Sequence, residues 1–140
     1  MFLWSYKYTE KLCGENSAYY VVRRPRAVSD FYCDEALSGK TPIITVLETD
    51  DVLAFHHTKP YWPVHIVVVP KKHVPSLTDL GEESIDLVYK VLDVVREVAA
   101  KIEMDHGACR VFSNLGEYQD SKHLHFHVAS GESYGRNVDA

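Results

Sequence analysis

The sequence has few cysteines, no excess of positive charge and no long apolar run. Its three cysteines stand far apart and include no CxxC pair, which argues against a disulfide framework and against a cysteine zinc knuckle. The formal net charge of −5 argues against nucleic-acid or anionic-membrane partners, because such binding normally needs a basic surface. The cysteine pattern favours a reducing, cytoplasmic setting. No window approaches the ~18 apolar residues of a membrane span, so a soluble protein is expected.

Length and composition indicate one folded domain preceded by an aromatic extension. With 140 residues, 46% of them hydrophobic, the chain is long enough to bury a core without disulfide bonds. Residues 1–29 are rich in aromatic residues, most of them tyrosines, and end in a basic cluster between Arg23 and Arg26. Because so much aromatic surface seldom stays bare, we predict an extension at residues 1–29 that is suited to an interface, and a domain at residues 30–140.

The hydrophobic pattern predicts an α+β fold. Apolar residues recur at three- and four-residue steps, as in an amphipathic helix, at Ile85, Val88, Leu92, Val95, Ala99 and Ile102. A short helix is predicted from Asp30 to Gly39, with Asp30 or Ser29 as its cap. Strands are predicted at residues 41–48, 52–56, 64–70, 108–113 and 123–129. Strands on both sides of one long helix are typical of a five-stranded antiparallel sheet with the helix on one face.

Three histidines alternate with apolar residues near the C-terminus. Successive side chains of a strand point to opposite faces, so His123, His125 and His127 are expected to share one face. Leu124 and Phe126 then share the other face. Histidine can act as nucleophile, acid, base or metal ligand near neutral pH. We therefore predict chemistry on the first face and core on the second.

Two kinds of chemistry fit such a strand. Three neutral imidazoles with an open fourth position form a hydrolytic zinc centre, which would make the protein a His-rich metallohydrolase. Alternate residues of a strand lie about 7 Å apart, however, so one ion reaches two of the histidines more readily than all three. In the second reading, one histidine is a covalent nucleophile and its neighbours bind the anion under attack. The linear spacing favours this second reading.

The run from His123 to Ala129, His-Leu-His-Phe-His-Val-Ala, resembles the signature of the histidine-triad (HIT) family. Other segments are similar to family landmarks and follow in the expected order, at residues 52–55, 65–73 and 113–116. The resemblance covers about residues 30–130 and is closest to the Hint-like branch. It implies a HIT domain at residues 30–140 and a homodimer.

The resemblance also implies a nucleotidyl hydrolase or transferase that cleaves nucleoside 5'-phosphoramidates or related adenylylated compounds. His125 would attack the α-phosphorus and form a nucleotidyl-histidine, and His127 would hold a phosphate oxygen. His123 would orient His125 through its backbone carbonyl, while Asn114 and Gln119 match phosphate-site positions of the family. The expected ligand is an AMP-like purine nucleotide, and this chemistry requires no metal.

Some positions depart from the family pattern. Asp120 stands where a serine usually helps to protonate the leaving group, and Ser121 follows it in the expected substrate site. Tyr118 replaces a glycine, and His57 replaces the acidic residue that usually binds the ribose. These departures keep open an alternative, a noncatalytic nucleotide-binding or protein-interaction module with the same fold.

Four further residues are candidates for the nucleoside pocket. Phe31 and Tyr32 belong to the predicted short helix, and His56 and His57 follow the second predicted strand. Flat aromatic rings stack well on a base, and the resemblance implies base contacts in this part of the fold. We expect these four residues to line the pocket together.

A structural zinc ion is the less favoured expectation. Some bacterial relatives bind zinc through a CxxC pair, but the position of the first cysteine is Asp30 here. A set of Cys33, His65 and His123 remains conceivable, although structural zinc normally has four ligands. His73 is expected to be a surface residue.

Overall fold

The computed structural model describes residues 30–135, with strands β1 (Thr45–Glu48), β2 (Val52–His56), β3 (Val64–Pro70), β4 (Arg110–Phe112) and β5 (Phe126–Ser130). These five strands form one antiparallel sheet in the order β1-β2-β3-β5-β4. β3 pairs with β2 on one side and with β5 on the other. All residues of β3 except the first are buried, as its almost continuously apolar sequence predicts. The predicted α+β fold, with a five-stranded sheet and one long helix, is confirmed.

The predictions for residues 1–29 and 136–140 lie outside the described part of the chain. The predicted boundary at residue 30 therefore stays a prediction, as does the role of the aromatic extension.

Within residues 30–135, none of the helices combines the length and the apolarity that a membrane crossing demands.

The long helix α1 (Ile85–His106) ends at Gly107, as predicted, because glycine adopts the left-handed conformation there with φ 82°. Its buried face consists of Leu87, Val88, Val91, Val94, Val95, Val98 and Ile102. The prediction that Ile85 and Leu92 also belong to this face is wrong, since their side chains are 52% and 40% exposed. The helix carries two apolar stripes, and the valine-rich one packs on the sheet.

Four predicted elements have other boundaries: β1 and β4 are shorter than predicted, and the short helix and β5 differ in ways that affect the site. The short helix is one π-helical turn, Tyr32–Ala36, and Oδ1 of Asp30 accepts the backbone N–H groups of Tyr32 and Cys33 at its start. β5 begins only at Phe126, so the first two histidines of the motif precede the strand. The N–H of Leu124 instead donates to the carbonyl of Val74 at 2.6 Å.

The two faces of the sheet have different roles. Apolar residues on one face, including Val52, Val68 and Val128, form a core with α1. On the opposite face Leu53, Phe55, Val67 and Val69 pack against the π-helical turn. His127 is the direct cross-strand partner of Val67, and such partners share a face. The histidine motif therefore lies on the side away from the long helix.

Candidate active site

His125 has the geometry of a nucleophile. Its ring is 5% exposed, and its Nδ1–H donates to the carbonyl of His123 at 2.7 Å. A carbonyl can only accept, so the proton of the neutral ring is on Nδ1 and the lone pair is on Nε2. Burial lowers the pKa of His125 and keeps the ring neutral at pH 7. The ring of Tyr32 lies 4.7 Å from it, centroid to centroid, and the Ser113 hydroxyl donates to the His125 carbonyl at 2.7 Å.

His127 presents a buried donor beside this nucleophile. Its Nε2 is buried and has no hydrogen-bond partner among residues 30–135. The ring of Phe112 stacks on it with centroids 4.7 Å apart and an interplanar angle of 19°. The His125 ring meets it nearly edge-on, with a centroid distance of 4.9 Å. Because buried polar atoms are nearly always paired, this nitrogen marks a position for a ligand atom.

Two more histidines surround His127 and form what we call the neutral cluster, His57, His65 and His127. Nε2 of His65 lies 2.9 Å from Nδ1 of His127, and the His57 ring stacks on His65 with centroids 4.2 Å apart. Burial lowers the pKa of His57 and of His65 to about 4, and that of His127 to about 2. Each positive charge would also repel the others, so all three rings are neutral at pH 7.

The neutral cluster should make the protein sensitive to acid. In the unfolded chain these histidines bind protons below a pH of about 6.5, whereas the folded protein does not bind them until about pH 4. The unfolded state therefore binds more protons in this window, and the free energy of unfolding should fall as the pH falls, by up to about 1.4 kcal/mol per pH unit for each histidine. Urea denaturation at pH 7.5, 6 and 5 measures the slope. It should become shallower in His65→Leu and stay unchanged when the exposed His106 is replaced by glutamine; a flat profile in the parent protein would contradict the expectation.

A second group, which we call the mixed cluster, consists of Asp30, Cys33, His73 and His123. Its four ligand atoms lie within 4.8 Å of one another. Nδ1 of His73 is 2.6 Å from Oδ2 of Asp30, and Nδ1 of His123 is 3.2 Å from the same oxygen and 3.2 Å from Sγ of Cys33. The Nε2–H of His123 donates to the carbonyl of Pro70 at 2.8 Å. The Nδ1 lone pair of His123 therefore points into the cluster, as in a metal ligand with a carbonyl partner.

The mixed cluster corrects the zinc set expected from the sequence. His65 does not join Cys33 and His123, because it lies five residues before Pro70 on β3, a distance of roughly 17 Å along an extended strand. His73, expected as a surface residue, is half exposed, and it supplies a ligand atom to the cluster in place of His65. Asp30 supplies the fourth ligand atom in addition to starting the π-helical turn. The sequence signal that could have identified this set is the Asp-x-x-Cys spacing itself.

The metallohydrolase reading does not agree with the ring positions. His123 belongs to the mixed cluster and His127 to the neutral cluster, while His125 belongs to neither. Within the described residues, the three histidines of the motif therefore do not converge on one ion. The linear spacing of the motif had already disfavoured that arrangement.

The loop before the motif places its predicted substrate residues differently. Gln119 is buried, and its side-chain amide donates to the carbonyl of Pro75 at 2.7 Å. Ser121 is buried next to the mixed cluster, with its hydroxyl 3.4 Å from Oδ1 of Asp30. Asp120 is exposed, and its negative charge acts on both Tyr32 and His125. Asn114 is half buried, and its side chain makes no hydrogen bond within residues 30–135. Its amide is therefore available to a ligand, whereas the amide of Gln119 is already bound to Pro75.

The four predicted pocket residues do not all come together. Tyr32 is buried against His125, and Phe31 is half buried with its ring edge-on to Tyr32 at 5.6 Å. His57 joins the neutral cluster. His56, the last residue of β2, is paired with Ile66, which packs on the helix side, and it is exposed. The alternation of a strand therefore puts His56 on the opposite side of the sheet, and its prediction as a pocket residue is wrong.

Comparisons with known proteins find relatives of this chain in sequence and in structure. The family model described as "Scavenger mRNA decapping enzyme C-term binding" matches residues 31–138. An uncharacterised HIT-like protein of Azospirillum brasilense is 35% identical over 102 residues, covering 71% of this chain and 84% of that protein. One from Synechocystis is 34% identical, with coverages of 75% and 93%. The solved structure of a histidine triad protein from Clostridium difficile is 36% identical, covers 76% of this chain and 94% of that one, and superposes with a TM-score of 0.63.

Proposed function

Because this chain belongs to the histidine-triad (HIT) family, we propose that it is a nucleotidyl hydrolase or transferase. Its substrates are nucleoside 5'-phosphoramidates or related adenylylated compounds. The observation that carries the proposal is the pair of ring nitrogens at the motif, a lone pair on Nε2 of His125 beside the unpartnered Nε2 of His127. Nucleotidyl transfer requires a nucleophile next to a hydrogen-bond donor that stabilises the charge on the phosphoryl oxygens.

The proposed reaction has two steps. Nε2 of His125 attacks the α-phosphorus, the bond to the leaving group breaks, and a nucleotidyl-histidine forms. Its ring is then positively charged, and the carbonyl of His123, which already accepts Nδ1–H, stabilises that charge. Asp120 is the exposed acid-base group whose charge reaches His125. In its protonated form it donates a proton to the leaving group, and the resulting carboxylate then accepts a proton from the water that hydrolyses the intermediate. His127 holds a phosphoryl oxygen in both steps.

A covalent adduct provides the direct test. The protein is mixed with adenosine 5'-phosphoramidate, quenched within milliseconds and analysed by intact mass and peptide mapping. We expect a transient adenylyl group on the peptide that contains His125. Tight AMP binding with no adduct and no turnover would instead support the noncatalytic nucleotide-binding module. The departures from the family pattern at Tyr118, Asp120 and His57 favour that alternative.

For the mixed cluster we propose a structural metal ion, with Zn²⁺ as the expected metal. The donor set fits, because Asp30, Cys33, His73 and His123 supply one carboxylate, one thiolate and two imidazoles, and structural zinc takes four such ligands. When bound, the ion supplies a cross-link rather than a reactive group. These four residues would tie the π-helical turn, the segment after β3 and the start of the motif together. The proposed chemistry at His125 needs no metal.

The second apolar stripe of α1 supports a homodimer, which we also propose. Ile85, Tyr89 and Leu92 are spaced by four and three residues and so share a helix face, and Tyr89 is 64% exposed. We expect Tyr89→Glu to convert a dimer into a monomer in light scattering coupled to gel filtration, because burying a lone carboxylate is costly. Tyr118→Glu, at an exposed tyrosine outside the stripe, is the matched control. A parent protein that is monomeric at micromolar concentration would contradict the proposal.

A further inference from the structure

The unpartnered Nε2 of His127 lies at the end of a chain of hydrogen bonds. An unpaired, buried polar atom is rare and unfavourable, so it points to a ligand atom that completes the site. Whether this nitrogen offers a proton or a lone pair decides what that ligand atom is. The contacts behind the ring determine which of the two it offers.

The chain begins at a backbone amide, which can only donate. The N–H of Tyr61 donates to Nδ1 of His65 at 3.1 Å, so the single proton of neutral His65 is on Nε2. That Nε2 lies 2.9 Å from Nδ1 of His127 and donates to it. Neutral His127 then carries its own proton on Nε2, the atom without a partner.

We propose that His65 is a positioning residue that fixes His127 as a neutral imidazole whose Nε2–H donates to an anionic oxygen of the substrate. This inference rests on the proposed function, because the oxygen belongs to the phosphoryl group that His125 attacks. The two neighbouring histidines of the motif are thus held in opposite tautomers. His125 carries its proton on Nδ1 and offers a lone pair, whereas His127 carries its proton on Nε2 and offers a donor.

The same series of hydrogen bonds limits the protonation states of His127. A second proton on His127 would be on Nδ1 and would face the Nε2–H of His65, which is 2.9 Å away. Nε2 of His65 can become an acceptor only if the proton of His65 moves to Nδ1. That shift would break the hydrogen bond that Nδ1 accepts from the N–H of Tyr61. His127 therefore binds the phosphoryl oxygen without acting as an acid, and the proton for the leaving group has to come from another residue or from water.

A metal ion is the competing explanation for three histidines so close together. The rings of His57 and His65 are stacked, with an interplanar angle of 18°. Nitrogen lone pairs lie in the plane of the ring, so those of stacked rings run side by side and do not converge on one ion. Nδ1 of each of these rings also accepts a backbone N–H, from Lys59 and Tyr61 respectively. The contacts fit a hydrogen-bonded chain.

Nuclear magnetic resonance of the imidazole nitrogens tests the tautomers directly in the whole protein without substrate. Long-range ¹⁵N–¹H correlation spectra at pH 7 should show His65 and His127 protonated on Nε2 and His125 protonated on Nδ1. Addition of AMP should shift the Nε2 signal of His127 more than its Nδ1 signal. A His127 protonated on Nδ1, or doubly protonated at pH 7, would overturn the inference.

Two variants of His65 test its role in turnover. His65→Leu removes the donor, whereas His65→Gln places an amide N–H near the position of Nε2. We expect His65→Leu to lower kcat for adenosine 5'-phosphoramidate by roughly 10- to 100-fold, the range found for residues that orient metal-bound histidines, with a smaller change in KM. His127 should then show mixed tautomers, and His65→Gln should recover most of kcat.

The outcomes separate this inference from the proposed function. Parent-like kcat in His65→Leu together with a single Nε2–H tautomer of His127 would overturn the role of His65. If His65→Leu does not fold, a failure of His65→Gln to keep the His127 tautomer decides against it. Absence of an adduct on His125 would overturn the proposed function instead, since the tautomers are measured without any reaction.

Discussion

Replacing His125 with alanine should lower kcat/KM for adenosine 5'-phosphoramidate by at least about 10³-fold, because no other group can take over a covalent step. Nε2 of His123 is bound to the carbonyl of Pro70, and its Nδ1 faces Asp30 and Cys33. Nδ1 of His127 faces His65, and its Nε2 carries the proton of the neutral ring, so neither ring offers a free lone pair that could attack phosphorus in place of His125. Steady-state release of ammonia measures the loss.

The structure offers a matched control for this variant. His56 is exposed on the opposite side of the sheet, so His56→Ala should keep parent-like turnover and thermal stability. His125→Ala should still bind AMP, since the donor on His127 is unaffected. Turnover in His125→Ala within tenfold of the parent protein would contradict the nucleotidyl-histidine mechanism.

Zinc should stabilise the protein strongly through the mixed cluster. A ligand present at 100 times its dissociation constant contributes about 2.7 kcal/mol, which for a domain of this size raises Tm by roughly 10 °C. The metal-free protein, prepared with a chelator, should therefore melt well below the protein loaded with one equivalent of Zn²⁺. Calorimetry and elemental analysis of the same samples give the shift and the stoichiometry.

Variants assign that shift to the cluster. Cys33→Ser should abolish most of the zinc-dependent rise in Tm, because the thiolate is the strongest of the four ligands for zinc. Asp30→Cys should keep the rise and bind zinc more tightly. Cys109, which lies elsewhere with Sγ 3.7 Å from the carbonyl of Ala99, is the control, and Cys109→Ser should respond to zinc like the parent protein. Equal Tm values with and without zinc would exclude the proposed site.

The fold could be predicted because its signals are local and repeat along the chain. Six of the seven residues of β3 are apolar, and Gly107 stops the helix by its own backbone conformation. Which stripe of α1 is buried could not be predicted in the same way. Ile85 and Leu92 are as apolar as the valines that pack on the sheet, and only the rotation of the helix on the sheet decides between them.

The site could be predicted only in part, for a similar reason. The motif itself singles out three candidate site histidines, because their alternation with apolar residues is a local pattern. The mixed cluster depends on contacts between residues that are 40 to 93 positions apart in the sequence. Asp30 and Cys33 form one side of these contacts, and His73 and His123 form the other. Nothing in the neighbouring sequence of His73 distinguishes a ligand from a surface histidine.

His123 takes part in three separate interactions, and this affects how its variants can be interpreted. Its Nδ1 faces Asp30 and Cys33, its Nε2–H is bound to Pro70, and its carbonyl holds the ring of His125. Substitution at this position changes the fold around the mixed cluster and the nucleophile at once. In a double-mutant cycle, His123 should therefore be strongly non-additive with both Cys33 and His125. Cys33 and His125 should couple to each other mainly while His123 is present.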